Sequence, residues 1–437
     1  MSTPSLHSNE NPDHPQFTPI HQNRHFMVLM SAQLISNLGD WLHLLALLTL
    51  TGMVWQATPM QMTWIALCIV LPMLIGGPLA GVLADRLNRK WLMISADWIR
   101  VLLVFSLLWA SQLWQVYLIL IGKSLFDVLF SPAKNAKLRE IVPATQLPRA
   151  VTISSSIEQG CKIVGPALGG LLLAVAGIQW SFVVDAATFL LSGLILLALP
   201  GRKDQQQAMD AASRHTESAE TDRQRSFWSD LVTGVRYMLH MRIIGYGTLL
   251  LCLVLLVLQL ADSQTIVLFR QIPGIQQSLL GWCMTASGVG TLTAAWLSSK
   301  LTFSHLSKMS AGAALMGLIF VVVGPIATMV TAGPMTTGLL LLSFWLVGIG
   351  AGFAFIPFQV LLQQHTPVHM TGRVFGTVSS LTSASSAIGP LLGGLLVTSA
   401  GVTPAFVLAG LLLALIGITG LIRIKEKRMA SIMVKNT

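Results

Sequence analysis

Charged side chains stand inside several long apolar stretches of this 437-residue sequence. Such charges are costly in hydrocarbon, so each is a functional candidate until it finds a partner. Lys123 with Asp127, and Glu158 with Lys162, are spaced i,i+4, which places opposite charges on one face of a helix. We interpret the four residues as one network, which either neutralises itself or releases a lysine when Asp127 or Glu158 takes up a proton.

Asp40 has no Lys or Arg within one helical turn in either direction, which makes it the clearest candidate for proton binding. A buried carboxylate without a cation favours the neutral acid, although Asp40 could instead hydrogen-bond a neighbouring helix. Gln33 and Asn37 fall on the same helical stripe, so we expect both to line a cavity. Asp262 follows 222 residues after Asp40 with Gln259 beside it, and we expect the same two roles there.

Long apolar segments carry these residues, and each is near the roughly 20 residues that a helix needs to cross a bilayer. A chain that is 53% hydrophobic and 10% charged has too few polar side chains to cover the surface of a soluble protein. Because helices satisfy their own backbone hydrogen bonds in lipid, the sequence predicts an all-α polytopic membrane protein with twelve transmembrane helices. The predicted spans are residues 26–50, 61–84, 91–111, 114–132, 150–176, 179–199, 243–269, 278–298, 306–331, 335–360, 373–399 and 404–423.

The basic residues are distributed unevenly between the predicted connecting segments. Of the 27 Lys and Arg residues, Arg100, Lys123 and Lys162 lie within apolar stretches, Arg270 faces one side, and all others face the opposite side. This positive-inside bias predicts cytoplasmic termini, and we expect the bacterial plasma (inner) membrane. The net charge of +10 should then face anionic lipid headgroups, and no nucleic-acid partner is expected.

The sequence repeats itself after 224 residues, where GPALGGLL recurs as GPLLGGLL. This repeat predicts two pseudo-symmetric lobes of six helices, related by an axis along the membrane normal. The predicted boundaries are a disordered arm (1–25), an N-terminal lobe (26–200), a cytoplasmic linker (201–228), a C-terminal lobe (229–424) and a basic tail (425–437). The repeated glycine-proline motif comprises Gly165, Pro166, Gly169 and Gly170, and Gly389, Pro390, Gly393 and Gly394.

The segment GVLADRLNRK joins the second and third predicted spans on the cytoplasmic side. It resembles the signature of major facilitator transporters, with Asn88, which tolerates a left-handed backbone, in place of the second glycine. The resemblance implies the major facilitator fold, and it implies that Asp85 engages the cytoplasmic end of the eleventh span. A turn with solvated charges is the alternative. The switch between lobes is assigned to Gly81, Asp85, Arg86, Arg89, Lys90 and Arg373.

Further local patterns are similar to the exporter branch that includes macrolide and siderophore (enterobactin) efflux proteins. They are Asn37 to Asp40, Phe130 to Ala133 at the end of the fourth span, the glycine-proline motif, and Val184 to Ala186. This resemblance implies export of amphipathic, drug-like or siderophore-like molecules by alternating access. Proton coupling is implied by the family alone, because the arginine motif of its fourth helix is absent. Similarity around Ser131 to Lys134 leaves a lysophospholipid transporter as the alternative.

The resemblance also assigns roles to the remaining charges and to the glycines. The fourth helix lines the cavity in this superfamily, so Lys123, with Lys162 at similar depth, is expected to contact substrate. Asp97, Arg100 and Asp185 lie on helices that are peripheral in the family, so we interpret them as structural. The glycine-proline motifs are expected to pack closely, as a seal and pivot between the lobes.

Several classes of protein are excluded. No Ser-His-Asp, His-Glu-x-x-His or nucleotide-binding Gly-Lys-Ser/Thr motif is present, so neither an enzyme nor an ATP-driven pump is expected. The expected partners are a small-molecule substrate, protons and membrane lipids, with no cofactor or metal, and the protein is expected to be a monomer. All four cysteines lie in apolar stretches and are interpreted as packing residues: Cys68, Cys161, Cys252 and Cys283.

Overall fold

The computed structural model of the protein describes residues 20–143, 145–201, 236–237, 240–329, 331, 333–366 and 371–435. Helices dominate this part of the chain, and no strand occurs in it. The helical tract Leu147–Leu196 is broken at Gly177, whose φ of 84° is left-handed, so residues 147–176 and 178–196 are two helices, α5 and α6. The other long helices are α1 Arg24–Thr49, α2 Pro59–Arg86, α3 Arg89–Ser106, α4 Leu113–Ile141, α7 Arg242–Asp262, α8 Gln277–Lys300, α9 His305–Met329, α10 Pro334–His365, α11 Thr371–Ala400 and α12 Val402–Lys435.

Nine helical segments within the described residues are long and apolar enough to cross a membrane. One of them, Arg149–Leu196, contains both α5 and α6. α2 contributes only the shorter apolar helix Pro59–Met73, and α8, which is rich in Ser, Thr and Gly, is not among the nine. The prediction of an all-α chain with many membrane spans is therefore confirmed at this level.

The prediction that the Phe130 to Ala133 segment ends the fourth helix is wrong. α4 runs through Pro132 and continues to Ile141. The extension is stabilised by its own polar contacts, because Lys137 Nζ donates to Glu140 at 2.9 Å and to the carbonyl oxygen of Pro200 at 3.0 Å. The proline therefore removes one backbone donor without ending the helix.

The two halves of the chain pack against each other through two helix pairs, α2 with α11 and α5 with α8. Each pair has a hydrogen bond of the same kind. Thr63 Oγ1 donates to the carbonyl oxygen of Pro390 at 3.0 Å, and Thr285 Oγ1 donates to that of Ala167 at 3.3 Å. The end of the helix bundle at which α2 begins is called the far end. All four residues lie closer to the far end than to the opposite end of the bundle.

The glycines of the repeated motif allow neighbouring helices to approach closely, at equivalent positions in the two halves. Gly165 and Gly169 of α5 face Trp41 of α1, and the equivalent glycines of α11 face α7. Gly170 faces Gly281 of α8, and Gly394 faces Thr63 of α2. Small residues thus allow close approach both within each half and between the halves.

Gly170→Ala is expected to destabilise the protein, because its new methyl group would overlap the backbone of Gly281 and Thr285. Overpacking of this kind costs about 1–3 kcal/mol. Gly160 of the same helix is the matched control, since no neighbouring helix among the described residues comes within 4 Å of a Cβ built there. The measurement is the midpoint of thermal unfolding in detergent; equal midpoints for the two variants would contradict the tight contact.

Candidate functional site

Lys123 of α4 lies between two carboxylates. Its Nζ atom is 2.7 Å from Asp40 Oδ1 on α1 and 3.0 Å from Asp127 Oδ2 on its own helix. The lysine side chain is 9% exposed, whereas that of Asp40 is 37% exposed. The i,i+4 pair is confirmed, but the interpretation of Asp40 as a carboxylate without a cation is wrong, because its partner comes from another helix.

Arg100 extends this arrangement to α3 and α6. Its guanidinium donates to Asp127 Oδ1 at 3.0 Å and to Asp97 Oδ1 at 2.6 Å. Asp97 accepts a further hydrogen bond from Ser192 Oγ at 2.7 Å. We call the five charged residues the charge cluster: Asp40, Lys123, Asp127, Arg100 and Asp97.

An aromatic ring supports the two cations of the charge cluster. Phe189 of α6 is fully buried, and its centroid lies 4.7 Å from Arg100 Cζ and 5.4 Å from Lys123 Nζ. The negative face of an aromatic ring attracts cations, so Phe189 helps to hold both inside the bundle. Neither Phe189 nor Ser192 is among the residues singled out from the sequence, because their roles depend on how α6 is rotated toward α3 and α4.

His43 and Asp185 form a second polar contact beside the charge cluster. His43 Nδ1 lies 3.7 Å from Asp185 Oδ2, which is longer than a hydrogen bond. Gly39 allows α6 to approach α1 here, since a Cβ at this position would collide with Thr188 and Asp185. The spacing of His43 three residues after Asp40 is the signal in the sequence that could have revealed it.

Glu158 and Lys162 lie apart from the charge cluster. They pair with each other at 3.0 Å on α5, as predicted, but their side chains are 48% and 52% exposed. No ion pair between described residues joins them to Lys123 or Asp127. The prediction of one four-residue network is therefore wrong, because i,i+4 spacing defines neighbours on one helix and not between two.

The predicted cavity-lining amides have different surroundings. Gln33 is buried, and its amide is occupied by Ser154 of α5, donating to the carbonyl oxygen at 3.0 Å and accepting from Oγ at 2.8 Å. It connects two helices, so the prediction that Gln33 lines a cavity is wrong. Asn37 and Gln259 are half-buried, and their contact with substrate stays a prediction.

Asp262 ends α7 and lines a cavity of about 60 Å³ in the C-terminal half. Thr265, Ser287 and Ser343 supply the other polar groups, and the remaining wall is apolar. Within the described residues, no ion pair or hydrogen bond involves the Asp262 side chain. The two halves therefore differ, since Asp40 has a lysine and Asp262 has none in this part of the structure.

The signature segment forms a tight connection between α2 and α3. Only Leu87 and Asn88 separate the two helices. Asn88 has an extended backbone and caps α3, with Oδ1 accepting from Lys90 N at 3.1 Å, so its tolerance of a left-handed backbone is not used here. Arg89 pairs with Glu140 of α4, and Lys90 Nζ donates to the carbonyl oxygens of Leu197 and Leu199 at 2.7 and 2.6 Å.

The predicted contact of Asp85 with the eleventh span depends on side chains that lie outside the described part of the structure. These are Asp85, Arg86 and Arg373, and Gly81 also lies outside it. This contact stays a prediction.

Asp85→Asn should lower transport about tenfold at normal abundance, since coupling between two conformations is worth about 1–3 kcal/mol. Asp85→Glu, which keeps the charge, is the control. Unchanged transport by Asp85→Asn would remove Asp85 from the mechanism.

A bundle of apolar helices with paired charges inside it is typical of a membrane transporter. The sequence model of the Major Facilitator Superfamily matches residues 29–387 and 337–432. The chain therefore belongs to the Major Facilitator Superfamily, and it is an integral membrane transporter, not an enzyme.

Two relatives and one solved structure are similar over most of the chain. It is 39% identical to the uncharacterized MFS-type transporter YfiS of Bacillus subtilis (strain 168), over 94% of this chain and 96% of that protein. It is 30% identical to the enterobactin exporter EntS of Salmonella choleraesuis (strain SC-B67), over 86% of this chain and 89% of that protein. The resemblance to the exporter branch is thus confirmed. The crystal structure of the nucleoside transporter NupG superposes with a TM-score of 0.64 at 14% identity, covering 92% of this chain and 99% of that one, which shows the fold alone.

Proposed function

We propose that the protein is a proton-coupled exporter of amphipathic, drug-like or siderophore-like molecules that works by alternating access. In this proposal it is a monomeric antiporter of the bacterial inner membrane with cytoplasmic termini. Its twelve spans form two lobes of six helices. They are the nine segments that are apolar enough to cross a membrane, one of which contains both α5 and α6, together with α2 and α8. The relation to an enterobactin exporter supports the direction and the class of substrate.

The observation that carries proton coupling is the ion pair between Asp40 and Lys123. Asp40 is partly exposed while Lys123 is nearly buried, so a proton that reaches Asp40 removes one of the charges holding the lysine in place. A buried cation that loses a partner is costly, and the helices carrying it have a reason to rearrange. Because α1 and α4 carry the two residues, protonation acts directly on the relation between these helices.

The contacts between the halves support alternating access. Their hydrogen bonds and close glycine contacts lie toward the far end. Nearer the other end, no described residue beyond the glycine's own helical turn lies within 4 Å of a Cβ built on Gly160 of α5 or Gly376 of α11. With the termini in the cytoplasm, as proposed, these contacts hold the two halves together toward the outside. Substrate would enter from the cytoplasm before the halves exchange their contacts.

The test is transport in proteoliposomes with and without an imposed proton gradient. Labelled siderophore, lipophilic drug and lysophospholipid would be offered separately, because the third represents the alternative function. We expect the proton gradient to drive accumulation of one of the first two. Accumulation of lysophospholipid alone would favour the lipid transporter, and transport indifferent to the proton gradient would contradict coupling.

A further inference from the structure

The membrane-embedded charges of the N-terminal half do not balance. The charge cluster together with Asp185 holds four carboxylates and two permanent cations, Lys123 and Arg100. With every carboxylate ionised, the group would carry two uncompensated negative charges. Such charges are costly inside a bilayer, so this region has a need for protons that its own cations do not meet.

Asp185 is the carboxylate with the least support. Each carboxylate of the charge cluster has a cation within 3.0 Å, whereas Asp185 is fully buried and its Oδ2 atom has no hydrogen-bond partner among the described residues. Its neighbour His43 is buried as well, and neither ring nitrogen has a hydrogen-bond partner in the part of the chain that the structure describes. Buried polar atoms are normally paired, so these three atoms indicate a site that is filled in another state.

We propose that His43 and Asp185 together bind the proton that is coupled to transport, an inference that rests on the proton coupling proposed above. One added proton, on the carboxyl group or on the imidazole, makes the pair neutral and completes the hydrogen bond that the 3.7 Å separation leaves open. Histidine suits this task because a neutral imidazole can accept a hydrogen bond from a protonated carboxyl group.

The surroundings of the pair give the proton a route and an effect. Asp185 approaches α1 closely at Gly39, and Asp40 is the next residue along that helix. Because Asp40 is partly exposed, it is the entrance through which a proton reaches the pair. Lys123 and Asp127 act on the pair electrostatically from α4, and Arg100 acts from α3. An unprotonated pair therefore attracts Lys123 and weakens its ion pair with Asp40, whereas a protonated pair removes this competition.

The test compares Asp185→Asn and His43→Gln with the wild type in proteoliposomes. Both variants are expected to lose uphill accumulation by at least about tenfold while retaining exchange of labelled substrate across the membrane, because only the proton site is removed. His305→Gln, at the start of α9, is the matched histidine control. Asp185→Glu keeps the titrating group and should restore part of the accumulation.

A second measurement follows the proton directly. Infrared difference spectra between acidic and alkaline samples of wild-type protein should contain a carboxylic-acid C=O band that disappears in Asp185→Asn and shifts in His43→Gln. Uphill accumulation by Asp185→Asn, or a spectrum equal to that of the wild type, would overturn the assignment and leave the proposed function standing. Failure of the wild type itself to respond to a proton gradient would instead overturn proton coupling.

Discussion

Lys123→Met is expected to lower the free energy of unfolding by about 2–3 kcal/mol, because it leaves Asp40 and Asp127 without the cation they share. The value is at the lower end for a broken buried pair, since partial exposure of Asp40 lets solvent screen its charge. The double variant Lys123→Met, Asp40→Leu should be milder, because it removes charges of both signs. The measurement is the midpoint of thermal unfolding in detergent.

Lys162→Met is the matched control for this experiment. It also removes a lysine from an i,i+4 ion pair on a membrane helix, but both partners of that pair are about half exposed. An exposed ion pair is worth about 0–1 kcal/mol, so its loss should change the midpoint little. If the two lysine variants unfold at the same midpoint, the burial of Lys123 does not affect stability, and the charge cluster does not stabilise the protein.

Asp40→Asn is expected to reduce uphill accumulation in proteoliposomes to the level of passive leakage while substrate exchange continues within about threefold of the wild type. Asparagine resembles the protonated acid, so the variant keeps the neutral form permanently and cannot release a proton. Asp40→Glu, which keeps a titrating carboxyl group, should retain part of the activity. Uphill transport by Asp40→Asn at normal abundance would exclude Asp40 from coupling.

Asp40→Asn and Asp185→Asn are distinguishable by spectroscopy. If Asp40 is the entrance and the His43–Asp185 pair is the binding site, the carboxylic-acid band of Asp185 remains in Asp40→Asn. The same band disappears in Asp185→Asn. Loss of the band in both variants would instead indicate one shared proton site that includes Asp40.

Distances along one helix were predictable from the sequence, and contacts between helices were not. The pairs Lys123–Asp127 and Glu158–Lys162 form as predicted, because helical geometry fixes the positions of residues four apart. Asp40 lies nine residues before the end of α1, and Lys123 lies ten residues after the start of α4, so their common depth follows from the sequence. Their contact also requires the rotation of each helix about its axis, which depends on packing.

The same limit explains the errors at Gln33 and the four-residue network. A polar stripe on a helix indicates which residues share a face, but not whether that face meets water or another helix. Gln33 faces Ser154, and Glu158 is about half exposed and pairs with Lys162. A near-uniform apolar helix has no strongly polar side to fix its rotation, so small packing differences decide these contacts.

Gly177 has a consequence for how the chain is threaded into the membrane during synthesis. The apolar tract around it spans 48 residues, which as one continuous helix would be about 72 Å long, more than twice the ~30 Å of hydrocarbon. The insertion machinery must therefore divide it into a hairpin, and a single left-handed residue provides the reversal. If that reversal failed, the tract would cross the bilayer one time fewer, and every later helix would enter the bilayer with the opposite polarity.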